Sequence, residues 1–492
     1  MKKLLFALSA LLITLTGCED LQEMNIDPNN VSNTHPQYLL TEVEWQAFQV
    51  SGVSPLFATR MVVQTDGEQP EQYYTWNRGD FDEYSRLRNV QKMMEEATRI
   101  GIPSYLALGK FFRAYYFYTL TLRFGDIPYS EALLGESEGI YAPAYDTQKD
   151  VFIGILKELE EADALLSSDN SIIAGDIIFK GSILNWRRLI NSFRLKVLLT
   201  LSGKTTDADL GVVTDFIHVA QDLPIMEANS DNGQLVFLDV AGSRYTEFNS
   251  SSYGSARYMD STFVKRLQDR EDPRLFVYAG QTKLAKENGL AIDDFNAYEG
   301  GNPIAPYNDV NIKASAGKVS KVNERYYSDP VNEPHCLLGY AELQFILAEA
   351  VVRQWITGDA RSYYEQGVKA SFEFYRAYTE ELAPYLSELK VEQYLQNNLV
   401  LFDNNFDNQE KLELIQIQKY LQSFLQGGWT MYYENLRTNT PELATIAGVT
   451  RPLRWMYPTS EYQQNTANVE AAIAAQFGQD SDGTRQIPWW LK

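Results

Sequence analysis

The sequence predicts a protein that is all-α in the main, with long irregular loops and little strand. Three observations carry this. Apolar residues recur at helical spacing in five separate windows. Strand-like stretches are scarce, and Leu235-Val236-Phe237-Leu238 is one short candidate. Between the periodic windows lie stretches rich in Asn, Ser, Gly and Pro, which favour turns and loops.

The helices follow in order. Pro103 opens a window through Tyr105, Leu106, Phe111, Phe112, Tyr115, Tyr116 and Leu120, and Gly125-Asp126-Ile127-Pro128 stops it. Rings on every face of this helix predict packing on several sides. Residues 151–166 place Ile155, Leu159, Ala162 and Leu166 on one stripe with acids opposite. Residues 186–201 repeat the pattern with Leu189, Phe193 and Val197. Residues 337–356 continue it through Leu343, Leu347 and Ala350, and the i,i+4 pair Glu349 and Arg353 reads as an exposed face. Residues 360–378 follow the turn at Gly358-Asp359. Antiparallel pairs of this length resemble tetratricopeptide repeats, although no fixed period recurs. Two irregular stretches interrupt them, 227–258 with Asn249-Ser250-Ser251-Ser252-Tyr253-Gly254-Ser255, and 288–323 with Gly300, Gly301, Pro303, Pro306 and Tyr307. Long loops on a helical scaffold either carry binding residues or merely cover the helices.

The N-terminus carries its own signals. Lys2 and Lys3 precede an apolar stretch, Leu4 to Thr16, that is too short for the roughly 20 residues of a membrane-spanning helix. Residues 1–17 therefore read as a signal peptide. Leu15-Thr16-Gly17-Cys18 resembles a bacterial lipobox, in which acylated Cys18 becomes the mature N-terminus; the alternative is an ordinary secretory signal with an incidental cysteine. Acyl chains contribute about 0.8 kcal/mol per buried CH₂, so several would hold the chain on a membrane durably. Glu19 and Asp20 resemble the acidic surface-export signal of Bacteroides-group lipoproteins. Residues 18–36, polar and rich in Asn, Asp and Pro, read as a lipid-anchored flexible spacer.

Composition narrows the function. The 492 residues carry 43 basic and 65 acidic side chains, a formal charge of −22. Such a charge argues against general nucleic-acid binding, which needs clustered Lys and Arg, and against a polybasic membrane-surface protein. Two cysteines exclude a disulfide scaffold and a cysteine-built zinc site. Aromatic content is high, with 31 Tyr, 24 Phe and 8 Trp, and Tyr suits surfaces that are apolar on one side and wet on the other.

Catalytic signatures are thin, and the chain reads as no enzyme with no cofactor. His35, His218 and His335 lie far apart and read as structural or solvated. No GxSxG elbow or dinucleotide fingerprint occurs. Gly203-Lys204-Thr205 copies the tail of a P-loop, but Leu198 stands where its first glycine belongs. Cys336, beside Leu337-Leu338, reads as a small core hydrophobe. The run Arg270-Glu271-Asp272-Pro273-Arg274 offers oxygens to calcium, yet capping and surface pairing explain it more simply, so no metal site is expected. Among 65 acids no glycosidase pair stands out.

Several segments, in order, carry a family resemblance. They begin with the lipobox and Asn25-Ile26-Asp27-Pro28-Asn29-Asn30, then Arg113-Ala114-Tyr115-Tyr116 leading to Arg123-Phe124-Gly125-Asp126-Ile127-Pro128-Tyr129. Asp272-Pro273-Arg274 and Tyr340-Ala341-Glu342-Leu343-Gln344-Phe345-Ile346-Leu347-Ala348-Glu349-Ala350 follow. Arg451-Pro452-Leu453-Arg454-Trp455-Met456-Tyr457-Pro458 and the closing Trp489-Trp490 complete the set. Together they resemble the SusD/RagB nutrient-binding outer-membrane lipoproteins of Bacteroidetes, in particular the second SusD-like subgroup. The resemblance implies a right-handed scaffold of tetratricopeptide-like helical pairs, with residues 37–492 as a single binding domain. It also implies a cell-surface position on the outer membrane and a SusC-like TonB-dependent barrel as partner. Relatives bind oligosaccharides or peptides, so the expected ligand is a glycan or glycan fragment, the alternative a peptide.

Sugar rings offer C–H faces and outward hydroxyls, which flat aromatic platforms with short polar rims can hold. Tyr73, Tyr74, Trp76 and Asn77 supply both, just before a helix beginning near Phe81, and their position resembles that of the aromatic-bearing loop of sugar-binding relatives. The other reading of Trp76 is an anchor holding that loop in the core. Tyr298, Asn302 and Tyr307 are the next candidates, with Tyr245 and Tyr253 behind them. A few stacked rings and hydrogen bonds at about 1 kcal/mol each predict micromolar-to-millimolar affinity. A tethered α-helical glycosidase and a purely structural lid are the rival readings.

Overall fold

A computed structural model describes residues 33–50, 52–169 and 171–492. The signal peptide, Cys18 and the spacer up to residue 32 lie outside the described residues. Helix α1 (Gln37–Phe48) opens the described fold and α2 (Val53–Ala58) follows it. Helices α3 (Asp82–Ile100) and α4 (Pro103–Phe124) form a pair joined at Gly101, whose φ of 74° turns the chain back. Proline at its first position starts α4 without losing a needed N–H. The ring-studded α4 packs against α1, α3, α5 (Gln148–Ser167) and α6 (Ile183–Thr200), as rings on every face require. Phe111, Phe112, Phe117 and Phe124 are fully buried there, each contributing about 1.5–3 kcal/mol by leaving water. Thr147 and Ser182 cap α5 and α6 by accepting hydrogen bonds from Asp150 N and Asn185 N.

Helix α7 (Val212–Asp222) packs on α6. Past the first irregular stretch, α8 (Ser261–Asp269) precedes the second, and α9 (Tyr340–Val352) and α10 (Ala360–Ala377) form another pair. Helix α11 (Asn408–Gln422) packs on α9 and is started by a capping box between Asp407 and Glu410. Helices α12 (Thr430–Thr438) and α13 (Thr466–Phe477) follow, and shorter helices, among them Tyr307–Ser315 and Glu388–Leu395, lie between the longer ones. The structure is thus mainly helical, with tetratricopeptide-like pairs, as predicted. Strands among the described residues make two two-stranded antiparallel sheets: β1 (Val62–Gln64) with β3 (Arg257–Met259), and β2 (Gly233–Leu235) with β4 (His335–Leu338).

Four local expectations are corrected. Of the strand candidate 235–238 only Leu235 lies in β2; beyond it Val236 and Leu238 face solvent while Phe237 is buried. The helix expected from Leu337 starts at Tyr340, because Leu337 and Leu338 pair in β4, and it ends at Val352. Glu349 is not on an exposed face. It is fully buried, and beyond its i,i+4 partner Arg353 it receives both Arg437 Nη1 (2.7 Å) and Nη2 (2.9 Å) from α12. Arg437 also holds Glu434, which pairs with Lys419, so an ionic cluster sits inside the helical half. The pairing of Asp272 with Arg274 is likewise not at the surface: both side chains are wholly buried, with Arg274 Nη2 2.6 Å from Asp272 Oδ2. Asp272 Oδ1 also accepts from Arg274 N (3.0 Å), which fixes the turn at Pro273.

The two irregular stretches are woven together with residues 59–81. Asp260 N donates to Met61 O (3.0 Å), Gly301 N to Met259 O (2.8 Å), Ser261 N to Gly301 O (2.8 Å) and Met259 N to Ser320 O (2.9 Å). Gly300 lies so close to this seam that a Cβ there would sit 2.3 Å from Ser261 N.

Candidate functional site

The N-terminal aromatic turn is set by buried hydrogen bonds. Gln72, fully buried, accepts from Gln64 N through Oε1 (2.9 Å) and donates to Pro303 O through Nε2 (3.2 Å). Its carbonyl accepts from Arg60 Nη1 (2.6 Å). That side chain fastens β1, the 70–77 turn and the 302–307 turn to one another. Tyr73 follows, half-buried, its hydroxyl donating to Ala305 O (3.0 Å). Burial and the nearby Glu68 carboxylate raise the Tyr73 pKa, so the phenol stays neutral and available as a donor and acceptor.

The predicted residues divide into two groups. Tyr73, Asn302 and Tyr307 come together where the two turns meet, with Asn302 exposed and Tyr307 half-buried. Asn302 Oδ1 accepts from Ile304 N (3.1 Å), which fixes its turn. Tyr74, Trp76 and Tyr298 are buried. Tyr74 donates to Ala58 O (2.9 Å) with the Arg60 guanidinium 4.0 Å from its ring centroid. Trp76, 6% exposed, stacks on Trp455 (5.2 Å, 27°) and meets Tyr74, Trp429 and Tyr432 edge-on. Tyr298 donates to Ile292 O (2.7 Å) and packs on Phe276, away from the meeting of the turns. Asn77 is exposed and its carbonyl accepts from Met456 N (2.9 Å). Tyr245 and Tyr253 are buried.

The motifs nearest Trp76 are keystones. Arg454, fully buried, donates to Phe124 O (3.0 Å) and to Asp482 (2.7 Å), while Trp455 N donates to Arg123 O (2.9 Å). Gly125 (φ 96°) brings the backbone so close to Gln476 that a Cβ would meet its Oε1 at 2.3 Å. Asp126 accepts from Gln148 N (2.7 Å), and burial pushes its carboxyl up to about 7.

Sequence reasoning missed Trp429. It is the half-exposed member of the tryptophan cluster, 4.7 Å and edge-on to Trp455. It lines a cleft of about 280 Å³ between α3, α4, α6 and the start of α12. The available signal was Gly427-Gly428, whose positive φ values of 68° and 55° bring the backbone against Val50 just before the ring.

The titratable residues singled out for chemistry are dispersed. His35 lies edge-on to Tyr105 and His218 pairs with Asp222 on the surface. His335 is buried against Phe237 and Tyr245, and burial lowers its pKa to about 3. Cys336 is buried and its thiol is pushed well up by that burial. Among the described residues no group of three or more His, Cys, Asp or Glu could hold a metal ion. Nor is any helix there long and apolar enough to cross a membrane.

Comparison with known proteins places this geometry. A family model, SusD-like, described as starch-binding associating with outer membrane, matches residues 28–458. A Bacteroides vulgatus outer membrane protein connected with nutrient binding is 52% identical, with a TM-score of 0.91 over 93% of this chain and 100% of its own. A SusD homolog of Bacteroides fragilis is also 52% identical, with a TM-score of 0.90 over 94% and 100%. A second from the same species is 32% identical, with a TM-score of 0.86 over 93% and 100%. A search of the curated proteins returns no match. With the family model spanning most of its length and relatives at this identity, the chain belongs to the SusD-like family of nutrient-binding, outer-membrane-associated proteins.

Proposed function

We propose that this protein captures glycans or glycan fragments at the cell surface and passes them, chemically unchanged, to a SusC-like TonB-dependent barrel. Residues 1–17 are then a signal peptide, Cys18 carries the lipid that holds the chain on the outer membrane, residues 18–36 are a spacer, and 37–492 act as one binding domain. No cofactor or catalytic residue is assigned. The observation that carries the reading is the meeting of Tyr73 with the 302–307 turn, which sets two half-buried tyrosines beside exposed Asn302. A ring face with a polar rim suits the C–H face and hydroxyls of a sugar. In this reading Asn77 extends the rim, and buried Tyr74 and Trp76 anchor the 70–77 turn to Ala58 and Trp455, while Tyr298 stands apart as a packing residue.

Calorimetry of the purified full chain against oligosaccharides and peptides tests it. Saturable binding of a neutral oligosaccharide, weakened in Tyr307→Ala, is expected. Binding of peptides alone overturns the sugar assignment, and shorter products after long incubation favour a glycosidase.

A further inference from the structure

The cleft beside Trp429 differs from the tyrosine face in charge. Three cations line it, Arg86, Arg123 and Lys196, against one lining carboxylate, Glu83. In a chain of formal charge −22 such a concentration of positive charge is unexpected. Two of the cations are already matched. Arg123 pairs with Glu83 (3.0 Å) and Asp80 (3.4 Å), and Lys196 pairs with Glu342 (3.1 Å). Arg86, exposed on α3 at the cleft, makes no ion pair among the described residues. It faces Tyr115, whose phenol burial pushes up to about 12, so that ring stays neutral over the physiological range.

We infer that this cleft is a second binding site, for a saccharide bearing a carboxylate, with Arg86 gripping the carboxylate and Trp429 meeting the sugar ring. A guanidinium holds a carboxylate through two parallel hydrogen bonds, a geometry lysine does not reproduce. Trp429 is braced from behind by Trp455 and Trp76, so it offers a fixed apolar platform. Arg86 hydrogen-bonds the Tyr116 phenol but has no counter-ion among the described residues, and an acidic sugar supplies one where a neutral sugar does not. The choice of a sugar rests on the binding function proposed above; the choice of a carboxylate rests on Arg86.

The test is calorimetry on the full chain with digalacturonate and with its neutral counterpart galactobiose, for the wild type, Arg86→Gln, Arg86→Lys and the control Arg88→Gln. Arg88 is exposed on the same helix and does not line the cleft. Digalacturonate is expected to bind saturably and at least tenfold more tightly than galactobiose. Arg86→Gln should weaken it at least tenfold, Arg86→Lys by an intermediate factor and Arg88→Gln not at all, with thermal midpoints unchanged. Equal affinity for the two disaccharides, absence of saturable digalacturonate binding, or full affinity in Arg86→Gln overturns the inference. Arg86-dependent binding of digalacturonate with no neutral glycan bound would leave the cleft standing and remove the tyrosine face. Neutral-glycan binding lost only in Tyr307→Ala, with digalacturonate unbound, would do the reverse.

Discussion

In the helical half, backbone polar groups are satisfied within helices, and the buried charges of Glu349, Glu434, Lys419 and Arg437 meet between them. In the woven half, backbone groups from residues 59–81, 256–261, 299–307 and 318–323 are exchanged between segments distant in sequence. The tyrosine face sits on the second kind of structure. Local hydrogen bonding makes the first half robust to change on its surface. Non-local exchange makes the second dependent on a few linking side chains, above all Gln72.

Perturbations should separate the halves. Arg437→Met leaves the buried carboxylates of Glu349 and Glu434 short of their cation and should destabilise by about 3–5 kcal/mol in urea titration. The depressed pKa values of Glu349 and Glu434 belong to the same cluster. Their stabilisation is present above the ordinary carboxylate pKa and is lost as the pH falls through their lowered values.

His335 gives a second acid-side loss at higher pH. Its pKa falls from 6.5 to about 3 on burial, so stability declines as pH drops across that window. Asp126 and Asp260 are pushed up to about 7, and their contribution runs the other way, present at low pH and lost as pH rises toward 7. His335→Phe should therefore unmask a decline in stability between about pH 4 and 7 that is partly cancelled in the wild type. Denaturant midpoints measured across pH check this.

Gln72→Leu orphans Gln64 N and Pro303 O and should destabilise by about 1–3 kcal/mol while weakening neutral-glycan binding. Tyr307→Ala should have the smallest effect on folding, within about 0.5 kcal/mol, but should weaken that binding by about 1 kcal/mol. A large loss of stability in Tyr307→Ala would erase the distinction between the halves.

What could be read in the sequence follows the same division. Helices α4, α5, α6 and α10 were legible because their periodicity and stops are local. The start of α9 was misplaced because Leu337 and Leu338 are apolar in either strand or helix, and only pairing with β2 decides. Glu349 read as exposed because Arg353 is four residues away whereas Arg437, which buries it, is eighty-eight. Tyr73 and Tyr307 were each visible as aromatic, but their meeting depends on Gln72 reaching Pro303 across 231 positions. Trp429 went unnoticed because its neighbours are two glycines, not a polar run.

The Gln72 link has one more consequence. Because it and the Tyr73 hydroxyl tie the 70–77 turn to the Pro303 and Ala305 carbonyls of the other turn, the spacing of the two turns that carry the phenol rings is settled during folding, before anything docks. Immobilising a mobile side chain on association weakens an encounter by about 0.5–1.5 kcal/mol, and a face already rigid is spared that loss. Such a face can discriminate by shape while holding its cargo only lightly, which is what rapid hand-over demands.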